Sequence, residues 1–212
     1  MNLLNFRVDN QSISLYSNLN NNKGGTMGYT NYWTFEKTIS DKETADVKKE
    51  IADFVNFARE KGLELVNGLG EPGTLPILDG VISFNGSGEY GHETFYLAEK
   101  FTCGQFEFTK TARKPYDSAV VSCLLILKDN LKEYVKISSD GIYLGTDGYI
   151  DKEIVYGIRL YVDWKLETGK IDETTDMKEF FFACVNMFAD DYQLTDNDIS
   201  LITEKITEQE VV

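Results

Sequence analysis

The apolar positions of this chain change period along its length, and those changes mark its elements. From Ser40 the period is helical: Val47, Ile51, Phe54, Val55 and Ala58 recur at i, i+4, i+7, i+8 and i+11 and form one apolar stripe. Ser40 with Glu43 three residues later is a capping-box pattern, and Gly62 after Lys61 supplies a left-handed stop. On either side the pattern is that of strands. Tyr29, Tyr32, Trp33 and Phe35 predict one within MGYTNYWTFEK. Residues 63–66, 81–84, 93–97 and 105–109 predict four more, with Phe106 and Phe108 on one side of the last and Glu107 and Thr109 on the other.

A second helix follows, with Pro115 in its first turn and Ala119, Val120, Cys123, Leu124 and Leu127 as its buried stripe. Residues 134–138 read as a strand, and 149–164 as a helix that Gly157 weakens. Asp176 caps a further helix to about residue 189, and Thr195 with Asp198 opens a short last one to about 206. Consecutive strands with short turns between a few helices predict an α+β class: one domain with a mainly antiparallel sheet packed with four to five helices. Residues 1–26 stand apart as an Asn-rich extension with seven Asn, ending in Lys23-Gly24-Gly25 and read as flexible or as an edge strand. The domain then spans 27–212, with an acidic helical part at 163–212.

Composition narrows the class. At 212 residues, 42% hydrophobic and 13% aromatic, the chain can bury one ample core. No stretch approaches the ~20 apolar residues of a membrane span, and the N-terminus lacks the basic start of a signal peptide, which predicts a cytoplasmic protein. Three widely spaced cysteines and one histidine offer neither a disulfide framework nor a zinc site, and Cys123 and Cys184 read as core residues. No cofactor is implied, although a carboxylate-bound Mg²⁺ or Ca²⁺ is compatible with the composition. The net charge is −14, and residues 163–212 hold thirteen acids against four bases. So acidic a body disfavours non-specific nucleic-acid binding.

Three polar clusters fall at element boundaries. The first joins Asn85 to His92 and Glu93. His92 is the only imidazole, and is either a structural histidine or an acid/base. The second is Lys110, Arg113 and Lys114 before Asp117, three cations at a helix entrance. They either grip an anion or pair with neighbouring acids. The third, Ser138, Ser139 and Asp140, is a strand-to-turn junction. No Walker loop, GxGxxG, HExxH or GxSxG string is present, so no standard reaction class is signalled.

Five strings carry a resemblance: MGYTNYW from Met27, FNG at 84–86, GHETF at 91–95, FEFTKTARKPYD at 106–117 and ISSDG at 137–141. Together they resemble a family of small proteins encoded by bacteriophages, prophages and bacteria. This chain departs from the family in its Asn-rich extension, in Thr109 where a cysteine is usual, and in its longer acidic region after Asp163. The resemblance implies phage association, hence the host cytoplasm, and lends no activity.

Three readings follow. The first is a phage-encoded binding protein that counters host machinery or defence by holding a nucleotide-like anion or a host protein. Lys110, Arg113 and Lys114 would hold the anion, with Glu93, Asn85, Ser138 and Ser139 around it and Tyr29, Tyr32 or Trp33 stacking on a base. The second is an enzyme on a phosphorylated or nucleotide substrate, with His92 as acid/base and Asp117 or Asp140 orienting it or holding Mg²⁺. The third is an acidic, DNA-mimicking interaction protein acting through residues 163–212.

Overall fold

The structure is a computed structural model that describes residues 29–143, 149–172 and 174–188. The edge strand expected in residues 1–26 and the last helix expected at 195–206 lie outside these. Among the described residues, four α-helices and two three-stranded antiparallel sheets make an α+β fold, as the sequence pattern requires.

The first sheet has the order β5-β1-β6, with β1 at Thr30–Phe35, β5 at Phe106–Lys110 and β6 at Val135–Ser139. β1 is central and antiparallel to both neighbours, pairing Tyr32 with Phe108 and Ser138, and Thr34 with Phe106 and Lys136. The second sheet joins β2 (Leu65–Val66), β3 (Ile82–Gly86) and β4 (Phe95–Leu97) in that order. A two-stranded ribbon, β7 (Ile142–Tyr143) with β8 (Tyr149–Ile150), precedes the third helix.

α1 (Asp41–Glu60) is the helix read from the sequence. Ser40 Oγ accepts from Glu43 N at 3.2 Å, Glu43 Oε2 accepts from Ser40 N at 3.3 Å, and all five stripe residues are buried. α2 (Asp117–Leu131) is more deeply placed than a single stripe implied. Val121, Leu125 and Ile126 are as fully buried as the predicted residues, because α2 lies between β1 and β6 on one side and α1, α3 and α4 on others. It starts two residues after Pro115, since Lys114 N bonds to Thr111 O and Asp117 N to Lys114 O in tight turns first.

α3 (Lys152–Glu167) begins later than predicted, because residues 149–150 pair with β7 and Asp151 N is held by Gly141 O at 2.8 Å. α4 (Met177–Met187) is capped by Asp176, which accepts from Lys178 N and Glu179 N. Cys123 and Cys184 are buried thiols pushed up in pKa by desolvation, and Cys103 is exposed. Among the described residues, no helix is long and apolar enough to cross a membrane.

Candidate functional site

Because side chains alternate across a strand, β1 sends its even residues to one face of the first sheet and its odd residues to the other. The polar residues singled out by sequence divide between these two faces and one edge.

The outer face is a grid of three rows. Its first row is Phe106, Thr34 and Lys136; its second is Phe108, Tyr32 and Ser138; its third begins with Lys110 and Thr30 and is continued by Asp140. The alternation expected in β5 holds, and it is the aromatic side that faces outward. Phe106 is 56% and Phe108 46% exposed, whereas Thr109 is buried with its hydroxyl donating to Thr94 O. Tyr32 stacks on Phe106 with centroids 6.2 Å apart, and Phe106 lies 6.1 Å from Phe108. Lys110 Nζ lies 5.7 Å from the Phe108 ring centroid and 3.8 Å from Glu93 Oε1. Asp140 accepts from Thr30 N at 3.0 Å and from Tyr32 Oη at 3.4 Å. Thus Lys110, Tyr32, Ser138 and Asp140 share this face. Trp33, expected to be available for stacking, packs in the core against Phe95 because its phase in β1 is the inner one.

The inner face ends in a buried polar cluster. Asn31 Nδ2 donates to Asp117 Oδ1 at 2.6 Å, and both side chains are fully buried. Thr111 and Tyr29, also buried, are tied together by Thr111 N donating to Tyr29 O at 3.1 Å. Burial pushes the Asp117 carboxyl up to about 7; Thr111 and Asn31 favour its charge, and the nearby Glu153 carboxylate opposes it. The Thr111 and Tyr29 hydroxyls are near enough to stabilise Asp117, yet neither reaches hydrogen-bonding geometry. Tyr29 is kept a neutral phenol by burial and by Asp117, Asp151 and Glu153. Ser139 Oγ, below Asn31 in the pairing, accepts from Gly141 N.

Arg113 closes this end. Its guanidinium lies 4.5 Å from the Tyr29 ring centroid, and Nε donates to Asp151 Oδ2 at 3.1 Å. Ala112 and Arg113 both adopt left-handed φ, +50° and +56°, an uncommon backbone for side chains with a Cβ. Two of the three cations at the helix entrance, Lys110 and Arg113, thus lie beside neighbouring acids, Glu93 and Asp151. Lys114 is half-buried in the turn between them.

His92, Glu93 and Asn85 form the edge. The exposed His92 ring meets Lys110 O through Nδ1 at 2.9 Å, and because a carbonyl only accepts, Nδ1 is the donor. Asn85 is consumed by backbone, donating to His92 O and Gly68 O and accepting from His92 N and Gly86 N. Glu93 Oε2 accepts from Lys110 N, and Tyr116 Oη donates to Glu93 O at 2.7 Å. His92, Asp117 and Asp140 are hydrogen-bonded to different partners and not to one another.

Sequence reasoning missed Asn31, Thr111 and Glu153. Asn31 had a legible signal: it stands in the same β1 phase as Trp33 and Phe35, so it is a polar residue on an apolar face. In comparisons with known proteins, no family model, no curated protein and no solved structure matches the chain.

Proposed function

We propose that the protein is a binding protein that takes a nucleotide-like anion on the outer face of the β5-β1-β6 sheet. The observation that carries this reading is the aromatic cluster in which Phe106 adjoins both half-buried Tyr32 and exposed Phe108, with Lys110 and Lys136 in the rows on either side of Phe108 and Tyr32. A flat base stacks on such rings whatever its hydrogen-bonding edge, and ammonium groups beside them suit a phosphate. On a chain of net charge −14, a face that holds Lys110 and Lys136 against Asp140 and the adjoining Glu93 lies outside the acidic excess, which lowers the repulsion an anion meets there. Ser138 and the Tyr32 hydroxyl add polar contacts at its centre. In a phage-encoded protein, as the family resemblance implies, such capture withholds the ligand from host machinery or defence.

The enzyme reading has less support, because His92, Asp117 and Asp140 are each held by separate scaffold contacts. Calorimetric titration with a panel of nucleoside mono-, di- and triphosphates and signalling dinucleotides tests the proposal. At least one member is expected to bind with a dissociation constant below about a millimolar. Phe108→Ala and Phe106→Ala, both at exposed positions, are each expected to weaken it by about tenfold, the value of roughly one lost base stack. Absence of binding by the unaltered protein, or equal binding by both variants, overturns it.

A further inference from the structure

The inner cluster holds more lone pairs than protons. Asp117 Oδ2, Asn31 Oδ1, Thr111 Oγ1 and Tyr29 Oη are all buried and lack a hydrogen-bond partner, as does Glu153 Oε2 close by. Asn31 points its amide at Asp117, since Nδ2 donates to Oδ1, and its other terminal atom is left as an unused acceptor. Asp117 only accepts, Asn31 already gives one amide proton to it, and the Thr111 and Tyr29 hydroxyls lie close to Asp117 without completing a hydrogen bond. Unsatisfied polar atoms in a native interior are few and each is costly, so several around one carboxylate call for a physical account.

The positive charge at hand answers it only in part: burial still holds the Glu153 pKa up, while Lys152 and Arg113 favour its carboxylate. Arg113 is directed to Asp151 and to the face of the Tyr29 ring, and Lys152 Nζ approaches Glu153 through Oε1 at 3.8 Å, not through Oε2. We infer that the cluster of Asp117, Asn31, Thr111 and Tyr29, with Glu153 as its second carboxylate, is a binding site for a hard metal cation, Ca²⁺ before Mg²⁺. The donor set is all oxygen: carboxylate, amide carbonyl and hydroxyl. It offers no sulfur or imidazole, which argues against a transition metal, and its carboxylates are two, Asp117 and Glu153, so the amide and hydroxyl oxygens would have to complete the shell. An irregular set of protein oxygens inside the fold suits the flexible coordination of Ca²⁺ better than the octahedral, water-retaining shell of Mg²⁺.

Such an ion would neutralise the buried Asp117 charge and join the end of β1 (Asn31, with Tyr29 preceding it) to the entrance of α2. The strained Ala112-Arg113 turn lies over it, where the Arg113 side chain covers Tyr29. This site is on the opposite side of β1 from the aromatic row, and its test is independent of nucleotide binding.

The experiment is thermal denaturation of the full chain, stripped with a chelator and titrated at pH 8 with Ca²⁺, Mg²⁺ or Na⁺, alongside Tb³⁺ luminescence excited through the aromatic rings that adjoin the site. The expected result is a saturable rise in Tm with Ca²⁺, about 5 °C at a hundredfold excess over its dissociation constant, and Ca²⁺-displaceable Tb³⁺ emission. Asp117→Asn should weaken binding at least tenfold. Thr111→Val, which removes one donor at nearly constant volume, should weaken it to a smaller extent and decides the matter if Asp117→Asn does not fold. A saturable, Asp117-dependent response to Mg²⁺ or Na⁺ instead supports the site with a different occupant. No saturable response to any of the three, or one that both variants retain in full, overturns it, the latter by assigning the ion to another acidic surface.

Discussion

Gly141 occupies its place for lack of room. A Cβ built there would lie 2.3 Å from Tyr29 Oη and 2.8 Å from Ile154 Cγ1. The Tyr29 ring is buried and covered by the Arg113 guanidinium, so yielding would disturb that contact as well. Gly141→Ala is expected to cost about 2 kcal/mol through overpacking, measured by urea denaturation. A loss below about 0.5 kcal/mol, the ordinary range for surface changes, would show that Tyr29 can move aside. In the sequence, Gly141 reads as the glycine of an Asp-Gly turn, which accounts for the turn and not for the contact. Tyr29 is remote along the chain, and local pattern carries no trace of it. The same limit applies to Arg113. Its charge and its place before a helix are legible; its commitment to Asp151 and Tyr29 depends on where α3 begins.

At the scale of elements, what was legible was what is decided locally. α1 combines a capping box, a stripe and a glycine stop, all encoded within its own residues, and it forms where those signals put it. α2 and α3 were harder because their faces are set by each other. Gly157, which by propensity weakens α3, lies where the two helices cross: a Cβ there would fall 2.5 Å from Val121 Cβ and 2.9 Å from Ser118 O. Ser122 Oγ bridges the crossing, donating to Gly157 O at 2.7 Å. Gly157→Ala therefore gains up to about 1 kcal/mol of helix propensity and loses more to the crossing. The net expectation is a loss of about 2 kcal/mol, read from a lower midpoint in chemical denaturation. An unchanged or raised midpoint would mean that the helices can separate at little cost. β5 shows the same division, since its alternation is plain in the sequence, whereas which side faces inward depends on β4 and the residues before it, where Thr109 is buried and donates to Thr94 O.

For the whole molecule, the acidic balance was legible and its placement was not. Within 163–188, Asp163 is buried in α3 and Asp176 caps α4, so these acids belong to the fold and not to a uniform solvated surface. The charge that most clearly ties elements together is Asp129 on α2, bonded to Lys165 and to Tyr161 Oη on α3 and paired with Lys132 at 2.9 Å. Burial alone would raise its carboxyl; hydrogen bonds from Lys165 and Lys132 outweigh burial and hold it at about 2, below the ordinary 3.8. A carboxyl lowered in the folded state binds fewer protons there than when unfolded, so its stabilisation is complete above about pH 4 and is lost as the pH falls towards 2. With solvent screening taken into account, this is worth about 1 kcal/mol. Acid titrations of stability for the unaltered protein and Asp129→Asn should therefore converge by that amount between pH 4 and pH 2, and parallel curves would contradict it.

β1 imposes a constraint on how this protein can vary over evolutionary time. Asn31 and Tyr32 are neighbours in the chain, yet one belongs to the carboxylate cluster and the other to the aromatic row. A single inserted or deleted residue between positions 30 and 35 would exchange the two faces, sending aromatics among the buried carboxylates and a polar amide to the surface. Such a lineage could not lose one site and keep the other.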